Sequence, residues 1–223
     1  VGGRARKGGG WPWFRRGKRS AVAEDVPGAI RHALGSALEG DSDGVEAALT
    51  QVVQADSSDV DAYLGLLRVY QGRNEVGRAI SLAQTLILRR DLDREQKTKA
   101  RLGLATCFRE GGFTARAIEV LEEVLAEDRA NPEALRALSE LMAESGEFAR
   151  ALTLLRRWAQ VEGVPSRREE AVLWLALADQ ASAAGQREGA RRSLRKALRR
   201  DPDFGLAHLR LAESESERGR IKS

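Results

Sequence analysis

From residue 26 onward the chain alternates short amphipathic stretches with single turn residues, and apolar positions recur three and four residues apart. "YLGLLRVY" places Tyr63, Leu66, Leu67 and Tyr70 on one helical face, and "WLALADQA" does the same with Trp174, Leu177, Ala178 and Ala181. Between these stretches one phrase returns: "QGRNEVGRAISLA", "EGGFTARAIEVL", "ESGEFARALTLL" and "AAGQREGARRSL". In each, a residue suited to a left-handed turn precedes a helix that opens on a small side chain. The turn residues are Gly40, Asn74, Gly112, Gly146, Gly185 and Gly219, and their spacings are 34, 38, 34, 39 and 34. Gly and Asn tolerate the positive φ that ends a helix sharply. Five residues after the turns stand Val45, Ala79, Ala117, Ala151 and Ala190, where a small side chain lets two helices cross closely. Leu49, Ala83, Leu121, Leu155 and Leu194 follow one turn later.

A period of 34 residues with this layout is similar to the tetratricopeptide repeat, a helix–turn–helix unit whose neighbours stack to bury their apolar faces. The expected fold is all-α: a right-handed superhelical solenoid of about five to six such repeats. It should occupy residues 26–223, with units near 26–59, 60–97, 98–131, 132–170 and 171–204 and a partial one at 205–223. Pro202 in "RRDPDF" supplies a closing proline. The two longer spacings place insertions in "RRDLDREQKT" and "VEGVPSRREE", the second punctuated by Gly163 and Pro165. The last unit offers a single helix, "GLAHLRLAESESERG", from which the natural chain is expected to continue.

Composition agrees: 5% aromatic residues, five prolines and an Ala/Leu/Val-dominated apolar set favour helices. The single Cys107 excludes an internal disulfide or a thiolate metal cluster and makes a reducing compartment the default. The net charge of +4 is unevenly placed. Residues 1–20 hold seven Arg and Lys and no acid, leaving a body of thirty basic and thirty-three acidic residues. A body without a basic excess argues against nucleic acid as partner. The Gly-rich tail interleaves Trp11 and Trp13 with Arg15, Arg16, Lys18 and Arg19. It reads either as a solvated low-complexity segment or as a juxtamembrane segment, its indoles at headgroup level and its cations on an anionic membrane surface. The sequence has no apolar run of about 18 residues to span a membrane and no signal-peptide core.

Catalytic patterns are missing. His32 and His208 are expected to be inward packing residues, Cys107 a small interior residue, and Trp158 and Trp174 core. No nucleophile–base set, zinc-protease helix or phosphate loop occurs, so neither an enzyme nor a cofactor is expected. Function is then expected on the concave groove formed by the first helix of each pair. By register that groove carries Leu64, Arg68, Leu102, Thr106, Arg109, Arg136, Glu140, Leu175 and Asp179. Mixed apolar and charged residues suit an extended peptide or an amphipathic helix of a protein partner. Leu64, Arg68, Leu102 and Thr106 stand where chaperone-binding repeats hold a Lys/Asn carboxylate clamp, which disfavours a chaperone cofactor.

Within residues 65–125 the wording is more particular. "NEVGRAI" and, after the next helix, "RRDLDREQ" resemble the repeat region of the lipopolysaccharide assembly protein B family, and a looser likeness covers roughly residues 11–220. That resemblance implies a non-catalytic adaptor at the cytoplasmic face of a bacterial inner membrane, linking an ATP-dependent protease to the deacetylase that commits lipid A synthesis. It also implies an N-terminal membrane helix and a C-terminal rubredoxin-like metal domain with four cysteines, both outside these 223 residues. A scaffold for a secretion, pilus or motility machine, or the regulatory arm of a larger enzyme, fits the repeats equally, as does a plain cytoplasmic location.

Overall fold

The computed structural model describes residues 26–222, which form eleven helices and, among the described residues, no strand. They are α1 (Val26–Glu39), α2 (Ser42–Ala55), α3 (Val60–Gly72), α4 (Val76–Ile87), α5 (Arg94–Glu110), α6 (Thr114–Glu127), α7 (Pro132–Glu144), α8 (Phe148–Glu162), α9 (Arg167–Ala183), α10 (Arg187–Arg200) and α11 (Gly205–Lys222). The tail residues Trp11, Trp13, Arg15, Arg16, Lys18 and Arg19 lie outside the described residues. No described helix is long and apolar enough to cross a membrane.

The helix-to-helix turns are built alike. Gly40, Asn74, Gly112, Gly146 and Gly185 all have φ between 58° and 78°. The next residue's N–H returns to a carbonyl five residues back: Asp41 to Ser36, Glu75 to Tyr70, Phe113 to Phe108, Glu147 to Met142 and Gln186 to Ala181, each at 2.8 Å. This is the bond that closes a helix through a left-handed residue and satisfies one of its orphan carbonyls. Gly219 departs from the expectation, because α11 runs through it without a turn. Helix starts are capped by side chains at Asp41, Asp59 and Asn131, the last followed by Pro132 at the first helical position.

The described residues divide into two compact units, the first ending at Cys107 and the second beginning at Phe108. In the first, α1 packs on α2, α2 on α3 and α3 on α4. Its core holds Val52, Tyr63, Leu66, Leu67, Tyr70, Ala79, Ala83 and Leu86. Two glycines set the helix approach: a Cβ at Gly65 would stand 2.9 Å from Leu49, and one at Gly103 would stand 3.2 Å from Leu67. In the second unit α6 through α11 pack in chain order, around Leu121, Leu135, Leu138, Met142, Ala151, Leu155 and Leu194. The small residues mark four of the five expected crossings: Ala79, Ala117 and Ala151 are fully buried and Ala190 is 5% exposed, whereas Val45 of α2 is only half-buried. The insertions are taken up mainly as helix, since α5 and α9 have 17 residues where α3 and α7 have 13.

One polar cluster ties α2, α3 and α4 together. The Glu46 carboxylate accepts from Arg73, from Arg78 Nη2 at 2.7 Å and from the Tyr70 hydroxyl at 3.2 Å, while the Arg78 guanidinium lies 4.1 Å from the Tyr70 ring centre. Burial opposes the charge of Glu46, but hydrogen bonds from Arg78 and Arg73 outweigh it and hold its pKa below the usual carboxylate value. Burial, reinforced by Glu46, pushes Tyr70 up to about 12, and burial also raises Tyr63. These are the chain's two tyrosines. Each binds its proton more tightly folded than unfolded. The resulting stability is fully present below about pH 10 and is lost as pH rises through the folded pKa. In a tyrosinate-absorbance titration the native protein should therefore show well under half of full ionisation at about pH 10, where the denatured chain shows half. Equal curves would mean that these hydroxyls face water.

Candidate partner-binding face

The expected groove residues fall on the first helices of the pairs and divide between the two units. In the first unit Leu64 of α3 and Leu102 of α5 are half-buried, and Arg68 and Thr106, one turn further along each helix, are exposed. Leu64 reaches the space beside Gly103, 3.5 Å from where a Cβ would stand. Thr106 spends its hydroxyl on the Leu102 carbonyl at 3.0 Å. This part of the face is apolar, with one exposed guanidinium.

In the second unit the face is a ladder of alternating charge. Arg109 Nη1 meets Glu140 at 3.0 Å, Glu140 accepts from Arg136 Nε at 2.9 Å, and Arg136 Nη1 reaches Glu169 at 3.0 Å. The groups are 36–46% exposed. Burial works against the charge on Arg136, yet its bonds to Glu169 and Glu140 prevail and raise its pKa. Its guanidinium also lies 4.7 Å from the ring centre of Trp158, so this half-buried indole is a stacking surface as well as a packing residue. Further along, Asp179 lies 3.6 Å from Arg210, which also meets Glu213 at 3.3 Å.

The structure corrects several expectations. Leu175 is only 6% exposed and packs in a cluster with Ala171, Ala178, Leu194 and Ala207, so it belongs to the core and not to the binding face. Arg109 and Arg136, expected on the groove, already hold carboxylates of their own chain. His32 and His208 are exposed. The inner face of α1 is built from Ala29, Ala33 and Ser36, while His208 Nε2 pairs with the Pro202 carbonyl at 2.8 Å. Trp174 is half-buried, with Lys196 Nζ 4.2 Å and Arg156 5.8 Å from its ring centre. Cys107 is fully buried, as expected, 3.5 Å from Gln71 Nε2. Glu169 and Arg210 were not expected on this face, because the groove residues they meet, Arg136 and Asp179, lie more than thirty positions away on other helices. No group of three metal-binding side chains occurs among the described residues.

Two family models, both described as tetratricopeptide repeat, match residues 108–164 and 171–214. No curated protein sequence is a significant match. Among solved structures the chain is similar to MamA, with a TM-score of 0.59 and 18% identity over 80% of this chain and 93% of that one. It is also similar to YrrB, described as a TPR protein with an unusual peptide-binding site, with a TM-score of 0.55 and 18% identity over 85% and 96% of the two chains. A tetratricopeptide repeat protein from Parabacteroides merdae gives 0.59 and 14% over 88% and 74%. At such identities the likeness speaks for the fold alone. Repeat spacing, turn geometry and family models agree: the chain carries tetratricopeptide repeats in an all-helical repeat fold.

Proposed function

We propose that the protein is a non-catalytic adaptor whose first-helix faces hold a protein segment. The observation that carries this reading is the half-exposed ladder Arg109–Glu140–Arg136–Glu169 with Trp158 beneath Arg136. Exposed ion pairs add little stability, so four aligned charges are poorly accounted for as scaffold. Their alternation sets the partner's chemistry. A purely acidic segment would have to displace Glu140 and Glu169, whereas an extended peptide or amphipathic helix bearing both signs can pair with each rung. The description of YrrB as peptide-binding supports the class of partner.

The finer reading rests on the phrases "NEVGRAI" and "RRDLDREQ". It assigns the adaptor to the cytoplasmic face of a bacterial inner membrane, where it brings a protease to an enzyme of lipopolysaccharide synthesis. The tail supports the location, since each of its seven cations would add about 1 kcal/mol near an anionic leaflet. Sedimentation with anionic vesicles should be salt-sensitive and should disappear when residues 1–20 are deleted. Equal sedimentation of the shortened chain would remove the membrane reading without touching the adaptor.

The adaptor itself is tested by capture from an extract of the source cells. Arg136→Glu places a third carboxylate between Glu140 and Glu169, and the specific partner should be held about tenfold more weakly, a loss of about 1.4 kcal/mol. Glu122→Lys, on a second helix, should leave capture unchanged. Weakening by Glu122→Lys alone would move the site off the first-helix face.

A further inference from the structure

The second helices of the pairs carry a different pattern, visible when their outward positions are compared. Two, five and six residues beyond the buried alanine of each crossing, α6 has Glu119, Glu122 and Glu123 after Ala117. At the same places α10 has Arg192, Arg195 and Lys196 after Ala190. All six are exposed, and the spacing puts each trio on one stripe pointing away from the core. Arg199, also exposed, extends the basic stripe by another turn. The corresponding positions are uncharged in α2 (Ala47, Thr50, Gln51) and in α4 (Ser81, Gln84, Thr85). In α8 they are Thr153, Arg156 and Arg157, and Arg156 is held by the buried Glu170.

Like charges one turn apart destabilise a helix by about 0.2–0.5 kcal/mol per pair, and mixed signs would avoid this. The chain recovers little of that cost internally. Glu122 meets Arg150 at 2.9 Å, Arg192 bonds a carbonyl of its own helix at 3.4 Å and Lys196 covers the Trp174 ring. Glu119, Glu123, Arg195 and Arg199 make no ion pair among the described residues. Within one molecule the stripes cannot meet, because α7, α8 and α9 are packed between α6 and α10.

We infer that the α10 stripe Arg192–Arg195–Lys196 docks on the α6 stripe Glu119–Glu122–Glu123 of a second copy of this chain. The two stripes have the same spacing and opposite sign on equivalent helices, so either is a template for the other. Exposed charges of this kind act over about a Debye length, which makes the association weak and salt-dependent. Because the two surfaces differ, each bound pair keeps one stripe of each sign free, one on either copy, and assemblies grow beyond pairs unless they close into a ring.

The test neutralises each side separately. One variant carries Arg192→Gln, Arg195→Gln and Lys196→Gln, the other Glu119→Gln, Glu122→Gln and Glu123→Gln. Glutamine is a good helix former, so helicity should be retained in both. Sedimentation equilibrium of the full chain should show concentration-dependent association at about 0.01 M salt that is lost at about 1 M, as the Debye length falls from about 30 Å to about 3 Å. Each variant alone should associate at least tenfold more weakly than wild type, and an equimolar mixture should regain a one-to-one complex, since one supplies the acidic stripe and the other the basic. A wild type that stays monomeric, an association indifferent to both variants, or a mixture that fails to combine would overturn the proposal. So would a monomeric protein whose α10 stripe binds a short DNA duplex, which would assign that stripe to phosphate.

Discussion

Arg191→Ala is expected to free α11 from the second unit at a cost of about 1.5–3 kcal/mol, the range for hydrogen bonds to a charged group. Arg191 is 4% exposed although it sits in a helix otherwise studded with solvated cations. Its Nε donates to the Ser214 hydroxyl at 2.8 Å, its Nη2 to the Ser214 carbonyl, and its Nη1 meets Glu188 at 3.0 Å. One planar guanidinium thus holds α11 through two bonds to Ser214 and is braced by a third to Glu188 of its own helix. Arg191→Lys should restore little, because an ammonium cannot present that fork. Amide hydrogen exchange separates local from global loss: protection should fall in α11 while α9 and α10 keep theirs. Unchanged exchange in α11 would show that apolar contacts through Ala207 and Leu211 hold the helix without the arginine.

Ala151→Phe should destabilise the second unit by about 1–3 kcal/mol through overpacking. Ala151 is fully buried where α8 crosses α7, and its carbonyl accepts the Ser139 hydroxyl at 2.9 Å. A phenyl ring has no room there unless the helices separate, which would also stretch that buried bond. Thermal unfolding should reveal the loss, and Ala149→Phe, at an exposed position two residues away, is the control. A melting temperature shifted equally by both would mean that the crossing is not as tight as the buried alanine indicates.

The repeated phrase was readable because its physics is local. A left-handed residue closing a helix needs only Gly or Asn at that position, and Asn74 with φ 58° obeys the rule as the glycines do. The same locality explains the error at Gly219. Spacing and residue type matched, but a glycine inside a helix costs only about 1 kcal/mol, and α11 continues through it. Leu175 was misplaced for another reason. Register puts it level with Arg136 of α7, but an apolar side chain at that position joins the cluster that α9 forms with α10 and α11. The opposed stripes on α6 and α10 were present in the sequence and hidden by summing charge over the body.

The sequence alone determined what neighbouring residues enforce: helix limits, turn conformation, the small residue at each crossing and hence the repeat. Tertiary structure decided what distant residues share. The rungs Arg109–Glu140 and Arg136–Glu169 link residues more than thirty positions apart, and the hold of Arg191 on Ser214 reaches from α10 to α11. Turns and caps are settled within about one helical turn of chain, whereas an ion pair between helices depends on how each rotates against its neighbour. That rotation is set by packing around residues such as Gly103 and Ala151, and no single stretch of sequence displays it.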